Sequence, residues 1–168
     1  MTFQISKSTV SLLSYRLMVL SILLLTVLCA HAQQSLSQLE QQLAGLQRLE
    51  AMQPDSIAPK SQQAVLLLSY VCTYPQDSKA QLYVDEAQRL ISKIEGLQPK
   101  KVADRSDLAT LHGFYYTARI VMDPQQNGPR YYRQALDSFD EALKLNPKNE
   151  MARQLAERFR QGMGEQAK

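Results

Sequence analysis

Apolar residues in this chain recur three and four positions apart, the spacing that lines one face of an α-helix. The first stripe runs Leu36, Leu39, Leu43, Leu46 and Leu49, and Pro54 stops it, which predicts a helix over 36–53. "SQQAVLLLSY" from Ser61 is apolar almost all round and predicts a second helix over 60–74, buried on more than one side and ended by Pro75. A third helix is expected over 78–97, with Leu82, Ala87, Leu90, Ile91 and Ile94 facing inward, and a fourth over 105–122. "DPQQNGP" then reads as a turn. Pro129 opens a fifth helix over 129–145, at a position where a missing N–H costs nothing. The sixth covers 149–161, frayed by Gly162 and Gly164. Glycine is sparse and no run alternates apolar with β-branched residues, so the fold class is all-α.

A period organises these helices. Residues 94–106, "IEGLQPKKVADRS", repeat 49–61, "LEAMQPDSIAPKS", with Glu50 matching Glu95, Gln53 matching Gln98, Pro54 matching Pro99 and Ser61 matching Ser106. Pro54, Pro99 and Pro147 close the first, third and fifth helices at spacings of 45 and 48 residues. Self-similarity at such a period is the mark of stacked supersecondary units. The chain therefore reads as a tandem array of helical hairpins beginning with a half-repeat, its Gln-rich first helix and charged last helix serving as end caps.

The N-terminus changes what should be counted as structure. Lys7 and Arg16 precede the apolar run Leu17 to Leu28, and Ala30-His31-Ala32 places small residues at a cleavage spacing. Residues 1–32 are expected to be a secretory signal. The run is shorter than the roughly 20 residues of a membrane span, and a membrane-tethered protein with an uncleaved anchor is the alternative. Cleavage near Ala32 would export residues 33–168 as one domain, periplasmic or secreted. It would also remove two of 19 basic residues, leaving 17 against 16 acidic ones, so the formal charge of +3 falls to about +1. No electrostatic case for nucleic acid or for an anionic membrane survives. With Cys29 gone, Cys72 cannot form an intramolecular disulfide and reads as a small buried apolar residue.

"QALDSFDEALKLNPKN", residues 134–149, sets small Ala135, bulky Phe139 four on, small Ala142 three further and Pro147 five beyond. This resembles the second helix of the tetratricopeptide repeat family. Ala87, Ile91, Ile94 and Pro99 repeat it with Ile94 in place of the small residue, and Gln42, Leu46, Leu49 and Pro54 repeat it more loosely. Gly113 and Tyr116 resemble the family's Gly and the aromatic residue three later. The resemblance covers roughly residues 61 to 161. It implies a short right-handed solenoid of antiparallel hairpins, about six helices in all, whose first helices line a concave, peptide-docking surface. The family repeat is 34 residues, and the excess here is expected around the turns after Tyr74 and Met122.

Chemistry is sparse. No HExxH, CxxC, GxSxG or Gly-rich phosphate loop occurs, so no catalytic residue, metal site or cofactor is expected, and the chain is not read as an enzyme. Neighbouring acids such as Asp85 with Glu86 point about 100° apart on a helix and read as solvated. His112, Tyr115, Tyr116 and Arg119 follow i, i+3, i+4, i+7, and Tyr70 and Tyr74 pair in the second helix. Either account of these stripes stays open, packing between hairpins or contact with a ligand. On the resemblance, Tyr70, Tyr74, His112, Tyr115, Tyr116 and Arg119 are the groove candidates. The expected function is a non-catalytic protein-binding module or scaffold of the cell envelope, holding a protein or peptide segment. A structural subunit that self-associates through its end helices, as a homo-oligomer, is the alternative.

Overall fold

The computed structural model describes residues 36–166, with side chains through 162. The secretory signal expected over 1–32 lies outside the described residues. The chain divides into two compact units, 1–41 and 42–168. Of the first, only the helical residues 36–41 are described. The second contains the helical hairpins.

Among the described residues there are six helices and no strand: α1 (36–52), α2 (Ile57–Thr73), α3 (Ala80–Gly96), α4 (Val102–Met122), α5 (Pro124–Leu145) and α6 (Glu150–Gln166). The fold is all-α. Helix α2 packs on α3, and α4 on α5; α4 also lies against α2 and α3, and α6 against α4 and α5. Two hairpins thus stack through their first helices, with α6 beginning a third unit. None of the described helices is long and apolar enough to cross a membrane.

The repeat-defining residues form the core. Ala87, Ile91 and Ile94 on α3, and Ala135, Phe139 and Ala142 on α5, are all buried. Phe139 lies directly over Gly113: a Cβ added to that glycine would stand 2.6 Å from the ring. The small residue therefore lets α4 and α5 cross closely, and the ring plugs the crossing. Ile120, Ala156 and Phe159 complete this cluster.

Three expectations are corrected. Leu82 is 63% exposed, and Tyr83 and Val84 turn inward instead. Leu82 and Ile91 are nine residues apart, about 180° around a helix, so both could not face the core. The supposed turn "DPQQNGP" is helical, and α5 starts at Pro124, not Pro129. Asp123 caps it by accepting from Gln126 N at 3.0 Å, Pro124 takes the first position, and Asn127 Nδ2 donates to Arg119 O at 2.7 Å. The helix then passes through Pro129, where glycine at 128 spares one cost of an interior proline, the clash of its ring with the Cβ before it. Finally, α6 continues through Gly162 and Gly164 to Gln166. The extra length over a 34-residue repeat is accordingly helix as well as turn, since α4 and α5, of 21 and 22 residues, are joined by Asp123 alone.

The matched corners are built differently. At the first, buried Lys60 donates from Nζ to Pro54 O (2.5 Å) and Ser56 O (3.0 Å). Glu50 accepts from Gln63 Nε2 (2.8 Å) and Lys93 Nζ (2.7 Å). At the second, Gln98 adopts a left-handed backbone, φ 50°, before Pro99. At the third, buried Asn149 caps α6 by accepting from Ala152 N (3.0 Å), and its Nδ2 donates to Ser106 Oγ and Asp107 Oδ1, both at 2.9 Å. Ser106 Oγ in turn donates to Ala142 O at 2.8 Å, tying α4, α5 and α6 together.

Candidate functional site

Helices α2, α4 and α6 line an open groove made of two adjoining cavities of about 400 and 570 Å³. Val65, Ser69 and Met151 belong to both, so the trough is continuous. Helix α2 contributes Val65, Ser69, Cys72 and Thr73, α4 contributes Phe114, Thr117 and Val121, and α6 contributes Met151, Leu155 and Arg158. At its other end Leu46 and Leu111 form the wall, with Asp107 nearby. The lining is mainly apolar with hydroxyls between, a surface suited to holding an amphipathic segment.

Cys72, which lines the groove, is not activated as a nucleophile. Burial pushes the Cys72 thiol up to about 12, so it is protonated at neutral pH. Burial also raises the Asp107 carboxyl, against the opposing hydrogen bond from Asn149. Among the described residues no group of three His, Cys, Asp or Glu side chains is placed to hold a metal ion.

The residues expected in the groove are elsewhere. Tyr70 is buried, its hydroxyl donating to Asp77 Oδ2 at 3.1 Å and its ring 4.9 Å from Tyr74 and 5.4 Å edge-on from Tyr83. Burial, then the bond to Asp77, pushes its phenol up to about 12. It belongs to the α2–α3 packing, in keeping with the first of the two accounts left open for this residue. Tyr74 is exposed at the C-terminal end of α2.

His112, Tyr115, Tyr116 and Arg119 do share a face, but at about 100° per residue it lies roughly opposite Phe114, Thr117 and Val121. This face meets α3 and α5. His112 Nε2 is 3.0 Å from Glu95 Oε1, and Tyr115 donates to Gln88 Oε1 at 3.0 Å. Tyr116 stacks between His112 and Tyr131, with centroids 6.4 and 5.6 Å away. Arg119 Cζ sits 5.9 Å from the Tyr131 centroid.

The groove residues were legible as a second stripe. Val65, Ser69 and Cys72, and likewise Phe114, Thr117 and Val121, recur at helical spacing, and all but the buried Phe114 are only partly buried or exposed. Being small or apolar, they carry no chemical label that would single them out. Neither a family model nor a curated protein nor a solved structure matches the chain.

Proposed function

We propose that this chain is an exported, tetratricopeptide-like docking domain of the cell envelope, non-catalytic, which binds a protein segment in the α2–α4–α6 groove. The supporting observation is the groove itself. It is open, continuous and mainly apolar, and its two longest walls come from the first helices of successive hairpins. Binding free energy, not a reaction barrier, is what such a surface controls. Residues 33–168 form the mature protein in this reading, after cleavage near Ala32.

The test is capture from the cell envelope with the full chain carrying a C-terminal tag. The recovered product should begin at Gln33. Ser69→Arg, an exposed position shared by both cavities, should lose the co-purifying protein. Capture unchanged by that substitution removes the groove assignment, and an intact N-terminus removes the export assignment. Self-association is the second reading, favoured by Leu49 and Met52, which are 45% and 77% exposed near the end of α1. A molar mass by light scattering that stays monomeric at all concentrations eliminates it.

A further inference from the structure

We infer a second binding site, separate from the groove, on the α3–α5 side of α4, built from Arg119, Arg130, Tyr116 and Tyr131 and suited to the carboxylates of an acidic protein segment. Two guanidinium groups gather at one ring there: Arg130 Cζ is 5.0 Å and Arg119 Cζ 5.9 Å from the Tyr131 centroid. Among the described residues neither is paired with a carboxylate, whereas Arg89, Arg153 and Arg160 face Glu86, Glu150 and Asp140. Arg119 Nε is moreover buried with no hydrogen-bond partner.

That arrangement is incomplete as it stands. A tyrosine face attracts a cation but offers the N–H groups no in-plane acceptor. A buried donor left unmatched is unfavourable, and two like charges beside one ring repel. The carboxylates nearest in the fold each accept a hydrogen bond from another group and do not pair with either arginine. Asp123 Oδ1 accepts from Gln126 N, and Asp85, which is close enough to act on Tyr115, accepts from Gln81 Nε2 at 2.8 Å. An incoming carboxylate would supply the missing acceptors, and the guanidinium fork matches it with paired, charge-assisted bonds.

The surroundings specify the class further. Tyr116 and Tyr131 are stacked on each other at 20° and half-buried, so they offer their ring edges as an apolar wall beside the cations. A wall of that kind accommodates the methylene groups of Glu or Asp side chains, which a free inorganic anion lacks. With a mature net charge of about +1, diffuse attraction for acidic peptides is small, so binding should depend on these two arginines.

The experiment is fluorescence anisotropy of a rhodamine-labelled hexaglutamate peptide with the purified protein at fixed ionic strength. Saturable binding is expected, weakened at least tenfold by Arg130→Gln, an exposed position whose change leaves the helical circular dichroism intact. Arg119→Lys, which keeps the charge but removes the planar fork, should weaken it as well, and Ser69→Arg in the groove should not. No saturable binding, or equal binding by Arg130→Gln, overturns the site. Displacement by inorganic phosphate at lower concentration than by unlabelled hexaglutamate overturns the assignment to an acidic segment.

Discussion

The α2–α3 and α4–α5 hairpins carry the same period and pack in different ways. In the second, α4 presents bare backbone at Gly113 and α5 fills the crossing with Phe139. One period earlier the corresponding positions are Leu68 and Ile91, both buried aliphatic residues, and Ile94 stands where the second hairpin has Ala142. The connections differ too, residues 74–79 in the first hairpin and Asp123 alone in the second. What the two share is the sequence of the corner that precedes each, 49–61 and 94–106, although its bonding differs. The period is therefore kept by the corners, while each hairpin interior is free to find its own complementary volumes, as cores generally are.

The largest test of that contrast is at the α4–α5 crossing. Phe139→Ala removes a ring with no exposed surface and is expected to cost about 3–5 kcal/mol by chemical denaturation. Gly113→Ala should cost about 1–3 kcal/mol in the otherwise native chain, because the new methyl group overpacks the ring. In the Phe139→Ala background the same change should turn neutral or favourable, since alanine is the better helix former by about 1 kcal/mol. Additive effects would mean that Gly113 is not there to admit Phe139.

The second test concerns why the α4–α5 connection is so short. If α5 runs through Pro129 only because residue 128 lacks a Cβ, Gly128→Ala alone should destabilise, although nothing beyond its chain neighbours and its own helical backbone lies within 4 Å of the new atom among the described residues. Pro129→Ala restores an amide donor and should stabilise by about 1–3 kcal/mol. With that change in place, Gly128→Ala should reverse sign and gain about 1 kcal/mol. A gain from Gly128→Ala in the native background would refute the steric account.

These features were unequally visible in the sequence. Spacing alone carries the all-α class and the period, because both follow from helix geometry, while the small and bulky positions Gly113, Ala135, Phe139 and Ala142 were marked by the resemblance to the tetratricopeptide pattern. The start of α5 was hidden because Pro, Asn and Gly are turn formers in isolation. What overrides them is specific, the Asp123 cap and the absence of a Cβ at residue 128. Tyr70 stayed ambiguous for another reason: an aromatic residue on a helix serves a core or a surface equally well, and its packing and its bond to Asp77, seven residues on, are visible only in three dimensions. The groove escaped notice because Ser69, Thr117 and Val121 have nothing in their chemistry to mark them, and only three-dimensional stacking brings them together.

The smallest and most selective test uses pH to separate the corners. Glu50 is pushed up by burial, but the hydrogen bonds from Lys93 and Gln63, with the charges of Lys93 and Lys60, outweigh that and hold its carboxyl below the ordinary 4.5. A depressed folded value means that its contribution is present above about pH 4.5 and is lost as pH falls through the folded value. Asp107, beside Asn149 at the third corner, is raised above 3.8 by burial, partly offset by its bond from Asn149. Its contribution has the opposite sense, present below pH 3.8 and lost as pH rises through the raised value. Glu50→Gln should therefore flatten the acid-side loss of stability between about pH 5 and 3, and Asp107→Asn should add stability at pH 7 while leaving it unchanged near pH 3. Solvent screening keeps each effect within about 1 kcal/mol. Urea titrations from about pH 3 to about pH 7 read both, and variants that shift stability in the same direction at every pH would show that the two corners are not distinguished by charge.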